Sequence, residues 1–395
     1  MGQIEIITAN TAAAIAAKLS RVQVVSAYPI TPQTPVTEEL AEMVENGSLK
    51  AEYITVESEH SALASVVAAS QVGARVFTAT SANGLLYMHE MLHWAAGSRV
   101  PIVMACVNRG VGAPWTILND QQDTISQRDT GWIQIYCRNS QEVMDSVIQA
   151  YRIAEQIQIP VMVCYDGFIL SHASTPVDVP AQEDVDRYLP PRQDKSIIDD
   201  HSPMNVNPLI LSDPRADADG IPRPGYMEFR YRLQCDIMDS FKTIRSADEE
   251  FEKIIGRGWG ASVWTYRMDD AEHAVISMGS LASECTVAVD QLRNEGIRAG
   301  VVGVRVYRPF PASDIVDLLS RVETATFFEK DVSYGYQGAL AMDAKAAMYD
   351  SQSRPKITSH VVGLGGRDVR PEQLADATVE CVNGSGHDCW LDVRF

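Results

Sequence analysis

The 395-residue sequence lacks several features that would assign it to a common functional class. No apolar run approaches the ~18 residues that a membrane-spanning helix needs, and the N-terminal residues show no basic-then-apolar signal pattern. The net charge of −19 argues against nucleic acid or an anionic membrane as a partner. We therefore expect a cytoplasmic protein without a membrane span.

Cysteine occurs without ligand spacing, and nucleotide-binding glycine motifs are missing. The seven cysteines are scattered and none forms C-x-x-C, so neither an iron–sulfur ligand set nor a zinc site is predicted. Their odd number predicts reduced, mostly buried thiols. No G-x-G-x-x-G followed by an acidic residue and no Walker sequence occurs, so a nucleotide enzyme is unsupported.

The hydrophobic content of 46% allows a sizeable core in two or three domains. Strand and helix patterns alternate up to about residue 170, which predicts a doubly wound, largely parallel α/β sheet of about six strands. Residues 174–225 are rich in proline and predict an arm with little regular structure, followed by a helix over 226–255. Alternation then resumes, so the predicted domains are 1–173, 174–259 and 260–395.

A proline-rich stretch, A-Y-P-I-T-P-Q-T-P, follows an apolar strand that ends at Tyr28. Because proline fits neither a central strand nor a helix interior, the stretch predicts a stiff loop. A helix follows, with Thr34 as its expected N-cap and Pro35 at its first position. Open α/β sheets bind ligands at such strand ends, and a merely structural turn is the alternative.

Two other predicted helices begin with polar residues. The alanine-rich segment over 7–20 predicts a helix with Asn10 or Thr11 as N-cap. The segment after Val56 is small or apolar at nearly every position, which predicts a helix packed on all sides. Its first turn nevertheless holds Glu57 and Glu59. Two carboxylates there suit the helix dipole, but a buried one needs a partner.

Further turns carry polar groups at strand ends. Ser81, Asn83 and Gly84 mark a strand-to-helix turn whose N–H groups could face an anion. Arg109 directly follows a buried strand and is placed to grip a carboxylate, although a surface arginine is common there. The Gly279-Ser280 turn and the glycines of G-L-G-G at 363–366 could hold phosphate, but helix packing is favoured.

Seven motifs in fixed order make one family resemblance specific. They are A-Y-P-I-T-P-Q-T-P, V-E-S-E-H-S-A, F-T-A-T-S-A-N-G-L, Q-R-D-T-G-W-I-Q, D-G-F-I-L-S-H, Y-R-P-F-P and V-V-G-L-G-G-R-D. From end to end the chain resembles the α subunit of multi-subunit pyruvate:ferredoxin oxidoreductases (pyruvate synthases) and related 2-oxoacid:acceptor oxidoreductases. The resemblance implies a thiamine-diphosphate "pyrimidine" domain first and a smaller transketolase C-terminal-like α/β domain from about residue 260.

The resemblance also assigns roles to residues. It places the carboxyl that hydrogen-bonds the aminopyrimidine ring of thiamine diphosphate on Glu59 rather than Glu57. It places Thr31 and Arg109 around the 2-oxoacid carboxylate, which gives Glu59, Arg109 and Thr31 as the expected catalytic set. The expected cofactor-binding residues beside Glu59 are Pro29, Ile30, Ser81, Asn83 and Gly84.

Half of a thiamine site is missing from the sequence. No G-D-G followed some 25–30 residues later by Asn occurs, so the resemblance implies a β subunit that supplies Mg²⁺, the diphosphate site and the proximal [4Fe-4S] cluster. It also implies γ and ferredoxin-like δ subunits. The expected reaction is oxidative decarboxylation of a 2-oxoacid, pyruvate by default, with CoA as acyl acceptor and ferredoxin as electron acceptor.

Two alternatives stay open. Where pyruvate-type relatives tend to carry Ala-Leu-Ser-Ala-Pro after Asn-Arg, this chain has G-V-G-A-P-W at 110–115. Its glycines would leave room for a bulkier branched or aromatic 2-oxoacid, with NAD as another conceivable acceptor. A non-catalytic scaffold subunit is the second alternative, against which the joint presence of Glu59, Thr31 and Arg109 argues.

Overall fold

The computed structural model describes residues 2–192, 215–216, 220 and 222–394. Within these residues, strands and helices alternate and form one seven-stranded and one six-stranded sheet, both largely parallel, with two short ribbons. The predicted α/β class is confirmed. The parts of the predicted proline-rich arm at 193–214, 217–219 and 221 lie outside the described residues.

The elements are numbered in chain order. The strands are β1 (Gln3–Ile7), β2 (Val24–Ser26), β3 (Glu52–Ile54), β4 (Val76–Thr80), β5 (Val103–Asn108), β6 (Ile133–Tyr136), β7 (Val161–Asp166), β8 (Thr175–Val179), β9 (Arg215–Ala216), β10 (Pro222–Arg223), β11 (Val263–Tyr266), β12 (His273–Met278), β13 (Ala299–Val304), β14 (Val306–Arg308), β15 (Thr324–Glu329), β16 (Lys356–Val361) and β17 (Cys389–Trp390). The helices are α1 (Ala9–Leu19), α2 (Thr34–Glu45), α3 (Glu59–Gln71), α4 (Ala82–Tyr87), α5 (His89–Gly97), α6 (Gln122–Ile125), α7 (Ser140–Ile157), α8 (Gln182–Tyr188), α9 (Tyr226–Ile255), α10 (Gly279–Asn294), α11 (Ala312–Leu319), α12 (Ala339–Ala347) and α13 (Pro371–Val382).

The seven-stranded sheet has the order β14-β6-β7-β5-β4-β2-β3. Its strands β2 to β7 pair in parallel, as the sequence predicts. Strands β5 and β7 are buried along their whole length, which explains their unbroken apolar sequences. The carboxyl ends of β2, β4 and β5 are neighbours at one edge, so the loops that follow them meet there.

The six-stranded sheet has the order β11-β13-β12-β15-β16-β17. Just after β13, the chain enters the other sheet, where β14 pairs antiparallel with β6. The fully buried Arg305 lies between β13 and β14 and holds this connection against α7. Its guanidinium donates to Glu142 Oε1 at 2.8 Å and to Gln149 Oε1 at 2.9 Å. The division at 173 and 259 stays a prediction, and β14 contributes to the sheet of the first segment.

Two predicted helix caps are wrong by a few residues. Helix α1 is capped by Thr8, whose hydroxyl accepts from Thr11 N at 3.2 Å, and neither Asn10 nor Thr11 is the cap. Helix α2 already includes Thr34, and the residue before it, Gln33, is helical and makes no side-chain cap bond. The reason is that the proline-rich loop turns directly into the helix, since both Gln33 N and Thr34 N donate to Ile30 O.

The region after β7 is partly regular. Residues 174–192 contain β8, which pairs antiparallel with β1, and helix α8, so this part of the predicted arm has more structure than expected. The predicted helix over 226–255 is confirmed as α9. Across the described part of the chain, no helix has both the length and the apolar character to cross a membrane.

Candidate active site at the carboxyl edge of the first sheet

Glu59 opens helix α3, and Ser58 caps that helix by accepting from Ser61 N at 3.2 Å. Among the described residues, the Glu59 carboxylate has no hydrogen-bond or ion-pair partner. It is partly exposed, and Ala68 on the same helix is exposed. The prediction of a helix packed on all sides is therefore wrong for the residues that the structure describes, because these cover only one face of small and apolar residues.

The neighbouring carboxylate, Glu57, has a different role. It is exposed and accepts hydrogen bonds from the hydroxyls of Ser61 and Ser58. The hydrogen bond from Ser61 is the main cause that lowers the pKa of Glu57. Glu57 thus supports the helix start, whereas Glu59 is left without a partner.

The turn between β4 and α4 lies against Glu59. A Cβ atom at Gly84 would be 2.7 Å from Glu59 Oε1 and 2.6 Å from Thr80 Oγ1, closer than such contacts allow. Glycine at this position therefore lets the carboxylate approach the turn. The preceding Ala82 adopts the left-handed region with φ of 45°, and Ser81 makes no side-chain cap bond.

Several buried polar side-chain atoms of β4, of the turn after it and of the proline-rich loop have no hydrogen-bond partner among the described residues. They include the hydroxyls of Thr78, Thr80 and Ser81 and the Nε2 of Gln33 in the proline-rich loop. Buried polar atoms in native proteins are nearly always paired, so a group of unpaired ones needs an explanation. A polar ligand at the carboxyl edge of β2 and β4 would supply the missing partners.

The proline-rich loop is held by a side chain that the sequence pattern had marked as a cap. Asn10 is fully buried; its Nδ2 donates to Pro32 O at 2.8 Å, and its Oδ1 accepts from Tyr165 OH at 2.9 Å. The loop leaves Pro29 and Thr31 exposed at the sheet edge, with Ile30 partly buried. Asn10 is thus a positioning residue that sequence reasoning missed, although an asparagine within an alanine-rich helix was the available signal.

Arg109 meets the proline-rich loop. It is 4% exposed, and its Nη1 donates to Thr31 O at 2.7 Å while its Nε donates to Thr116 O at 2.9 Å. The indole of Trp115 lies 5.3 Å from the guanidinium carbon. Burial lowers the pKa of Arg109. Since a guanidinium has five N–H groups, the two bonds leave others for a ligand.

The glycines after Arg109 serve their own loop. A Cβ at Gly110 would lie 2.7 Å from Thr116 Cγ2, and Gly112 has φ of +75° with no neighbour within 4 Å. Gly112 N donates to Asn83 Oδ1 at 3.1 Å, which ties the loop to helix α4. A side chain at Gly110 would thus meet its own loop, and the expectation that these glycines enlarge the substrate pocket stays a prediction.

Asp123 joins two of these turns, and sequence reasoning gave it no role. Its fully buried carboxylate accepts from the backbone N–H of Ala82 and of Arg109, both at 3.0 Å, and from Asn108 Nδ2 at 2.8 Å. Burial raises the pKa of Asp123 to about 7. The sequence offers little signal, because Asp123 is one of three aspartates in the short segment between β5 and β6.

The strand-to-helix turn of the second sheet contacts side chains of the same chain. Ser280, in the Gly279-Ser280 turn, donates its N–H and its hydroxyl to Asp166, which also lies 3.5 Å from Lys330 Nζ. Burial alone would raise the pKa of Asp166, but Lys330 and these hydrogen bonds bring it below its usual value. The N–H of Ser280 is therefore already taken by a carboxylate of the chain, and helix packing as the use of this turn stays a prediction.

The glycines at 363–366 pack in the same way. Gly366 N donates to Asn119 O at 2.7 Å, and a Cβ at Gly366 would lie 2.6 Å from Leu118 Cβ. This loop therefore supports the segment that follows Arg109. Among the residues that the structure describes, no group of three His, Cys, Asp or Glu side chains could hold a metal ion.

Two family descriptions match the chain. "Pyruvate flavodoxin/ferredoxin oxidoreductase, thiamine diP-bdg" matches residues 15–234, and "Pyruvate:ferredoxin oxidoreductase core domain II" matches residues 271–374. The first match contains the open edge around Glu59 and Arg109. The second contains the occupied turns of the six-stranded sheet.

Individual relatives carry two different substrate names. The chain is 45% identical to "Ketoisovalerate oxidoreductase subunit VorA" of Pyrococcus horikoshii over 364 residues, 92% of this chain and 90% of that protein. It is 42% identical to "Pyruvate synthase subunit PorA" of Methanothermobacter thermautotrophicus over 393 residues, 99% of this chain and 98% of that protein.

A solved structure shares the fold. It is titled "2-oxoglutarate:ferredoxin oxidoreductase from Magnetococcus marinus with 2-oxoglutarate, coenzyme A and succinyl-CoA bound". The TM-score is 0.71 at 20% identity, and the match covers 96% of this chain and 66% of that chain. At this identity the likeness shows the fold alone.

Proposed function

The chain belongs to the pyruvate:ferredoxin oxidoreductase family, and from that membership we propose that it is the α subunit of a thiamine-diphosphate-dependent 2-oxoacid:ferredoxin oxidoreductase. The reaction is the oxidative decarboxylation of a 2-oxoacid with CoA, which gives an acyl-CoA and CO₂. One observation carries the proposal: among the described residues the Glu59 carboxylate is unpaired, and it lies against a turn in which Gly84 makes room for it.

The side chains around Glu59 fit thiamine diphosphate. The unpaired hydroxyls of Thr80 and Ser81 and the amide of Gln33 offer hydrogen bonds to a polar ring, and Gly84 leaves space beside them. When bound, thiamine diphosphate supplies the nucleophilic carbon and the electron sink that decarboxylation of a 2-oxoacid needs. Glu59 holds or releases a proton at a nitrogen of the aminopyrimidine ring, as a general acid–base group.

We assign the 2-oxoacid carboxylate to Arg109 and Thr31. Arg109 is fixed by the carbonyls of Thr31 and Thr116, so its remaining N–H groups have a defined direction. A preorganised guanidinium binds a planar carboxylate with two parallel hydrogen bonds. The exposed hydroxyl of Thr31 lies in the loop that contacts Arg109 and can donate to the same anion.

Partner subunits complete the site in this proposal. The sequence has no G-D-G…N motif for Mg²⁺ and the diphosphate, and α3 leaves one face partly exposed beside Ile54 and Val72, which are 36% and 76% exposed. A β subunit with the Mg²⁺ site and the proximal [4Fe-4S] cluster would cover this face. The γ and ferredoxin-like δ subunits and a cytoplasmic location belong to the same proposal.

Pyruvate is the first choice of substrate, and a branched 2-oxoacid is the second. Relatives of similar identity carry the pyruvate synthase and the ketoisovalerate names, which keeps both in view. The glycine loop at 110–115 keeps the larger substrate as the alternative, although a Cβ at Gly110 would face Thr116 of the same loop. A scaffold role would leave the unpaired Glu59 and the directed Arg109 without an explanation.

The test is an assay of the purified complex that contains this chain. We expect CoA-dependent reduction of a viologen dye with pyruvate in a panel of straight, branched and aromatic 2-oxoacids. Removal of thiamine diphosphate should abolish the signal, and its return should restore it. A fully loaded complex that reduces no dye with any 2-oxoacid would refute the proposal.

A further inference from the structure

The Asp123 side chain contacts the backbone of both strand-end turns of the site. Its Oδ2 accepts from Ala82 N and from Arg109 N, each at 3.0 Å. Its Oδ1 accepts from Asn108 Nδ2 and from Thr124 N, each at 2.8 Å. Both oxygens therefore face N–H donors, and the side chain is fully buried.

The two turns that Asp123 joins have different tasks in the proposed function. Ala82 leads into helix α4, where Gly84 lies against the Glu59 carboxylate. Arg109 ends the neighbouring strand and directs its guanidinium to the proline-rich loop. The spacing between the group that contacts the cofactor and the group that contacts the substrate thus depends on this carboxylate.

The turn at Ala82 needs such a fixed partner. A non-glycine residue with positive φ is strained, and at Ala82 φ is 45°. The hydrogen bond from Ala82 N to Asp123 Oδ2 is the contact that satisfies the backbone N–H in this conformation. Loss of that acceptor would let the turn, and with it Gly84, relax away from Glu59.

The chemistry of the four bonds requires a carboxylate. An ionised Asp is acceptor-only, whereas Asn offers one acceptor oxygen and an NH₂ group that only donates. Asp123→Asn keeps the shape of the side chain but places N–H groups against N–H groups at one of its two ends. The variant therefore changes the hydrogen-bond pattern while the packing stays the same.

We propose that Asp123 is a positioning residue that fixes Arg109 relative to the Glu59–Gly84 contact, so that the substrate carboxylate is bound at the correct distance from the cofactor. The inference rests on the proposed function and deepens it. Asp123 itself touches neither ligand; it acts through the backbone of Arg109 and of Ala82.

The first test compares Asp123→Asn with a matched variant in the purified complex. Asp248→Asn changes another buried carboxylate that accepts backbone N–H groups, those of Trp259 and Gly260 at 3.0 Å, away from both turns. We expect Asp123→Asn to raise KM for the 2-oxoacid about ten- to a hundredfold and to lower kcat. The Kd of oxamate, a non-reacting carboxylate analogue, measured by calorimetry should rise by a similar factor. Asp248→Asn should leave KM and the oxamate Kd within about twofold.

The second test is a double-mutant cycle with Arg109→Lys. If Asp123 acts through Arg109, Asp123→Asn should change the oxamate Kd by less than about threefold once Arg109 is already replaced. Fully additive effects, or an unchanged oxamate Kd in Asp123→Asn, would overturn the inference. If Asp123→Asn does not assemble, Asn108→Ala removes one of the four bonds and should raise the oxamate Kd by a smaller factor; no rise would also overturn it.

The failure of the inference can be told from the failure of the proposed function. If the wild-type complex neither reduces dye nor binds oxamate, the assigned function is wrong. If the wild-type complex does both and Asp123→Asn matches Asp248→Asn in every readout, only the role of Asp123 is wrong.

Discussion

The strand-to-helix turns of the two sheets resemble each other but differ in whether the acidic side chain beside them is paired. In each, an acidic side chain lies beside a strand-to-helix turn that contains glycine: Glu59 beside Gly84, and Asp166 beside Gly279. Asp166 is saturated by Ser280, Asn119 and Lys330. Glu59 has no partner within the described residues. The difference teaches that an acidic group at a turn indicates a ligand site only when the chain leaves it unpaired.

The comparison is tested most strongly by Glu59→Gln. The amide can occupy the same space but cannot exchange a proton, so we expect turnover of the complex to fall by roughly 10²–10⁴-fold. The thermal stability of the chain should stay close to that of the wild type, because no hydrogen bond or ion pair among the described residues involves the Glu59 carboxylate. Near-normal turnover would mean that the unpaired Glu59 carboxylate has no catalytic role.

Asp166→Asn should have the reverse effect, a loss of folding stability rather than a direct loss of catalysis. Removing one partner of a buried ion pair costs about 3–5 kcal/mol, because Lys330 and the donors at Ser280 are left without their acceptor. Urea unfolding of the chain measures this loss. The double change Asp166→Asn with Lys330→Met should recover part of it. If unfolding is unchanged and turnover is lost instead, Asp166 belongs to the active site.

The two turn glycines give a matched pair of smaller effects. Gly84→Ala would push the end of the Glu59 side chain away, and misplacement of this kind costs about 10- to 100-fold in turnover with little loss of stability. Gly279→Ala forces alanine into a left-handed φ of +60° and should cost about 1–2 kcal/mol of stability. Activity and unfolding measured on both variants check the contrast, and identical profiles would contradict it.

Glu57→Gln should have the smallest effect. Glu57 is exposed and only supports the start of α3, so turnover should stay within about twofold of the wild type. The same kinetic assay as for Glu59→Gln applies. A loss equal to that of Glu59→Gln would mean that the carboxylate at the cofactor has been misassigned.

Sequence patterns predicted the parallel strands well, because fully buried strands have unbroken apolar sequences that local periodicity reveals. The strand β14 escaped prediction, since three residues before a proline contain no period, and only the distant edge of β6 gives them a partner. The predicted burial of helix α3 on all sides failed for a related reason. Alanine, serine and valine indicate burial, but the sequence does not say whether the cover comes from the same chain.

The site shows the same limit. The motifs supplied Glu59, Gly84, Arg109 and Thr31, and the structure brings them together in two pairs, Glu59 with Gly84 and Arg109 with Thr31. Asp123 and Asn10 could not be found that way, because each acts on backbone groups far away in sequence. A hydrogen bond between Asn10 and Pro32, or between Asp123 and Ala82, leaves no local pattern.

Strand β14 has a consequence for any attempt to divide the chain. It covers β6, whose residues Ile133 to Tyr136 are buried along the strand. A fragment that ended before residue 306 would expose a row of unpaired backbone N–H and C=O groups flanked by apolar side chains. Such an open edge is a template for aggregation. We therefore expect β14 to protect the edge of β6 from self-association. Fragments designed around the first sheet should include this strand.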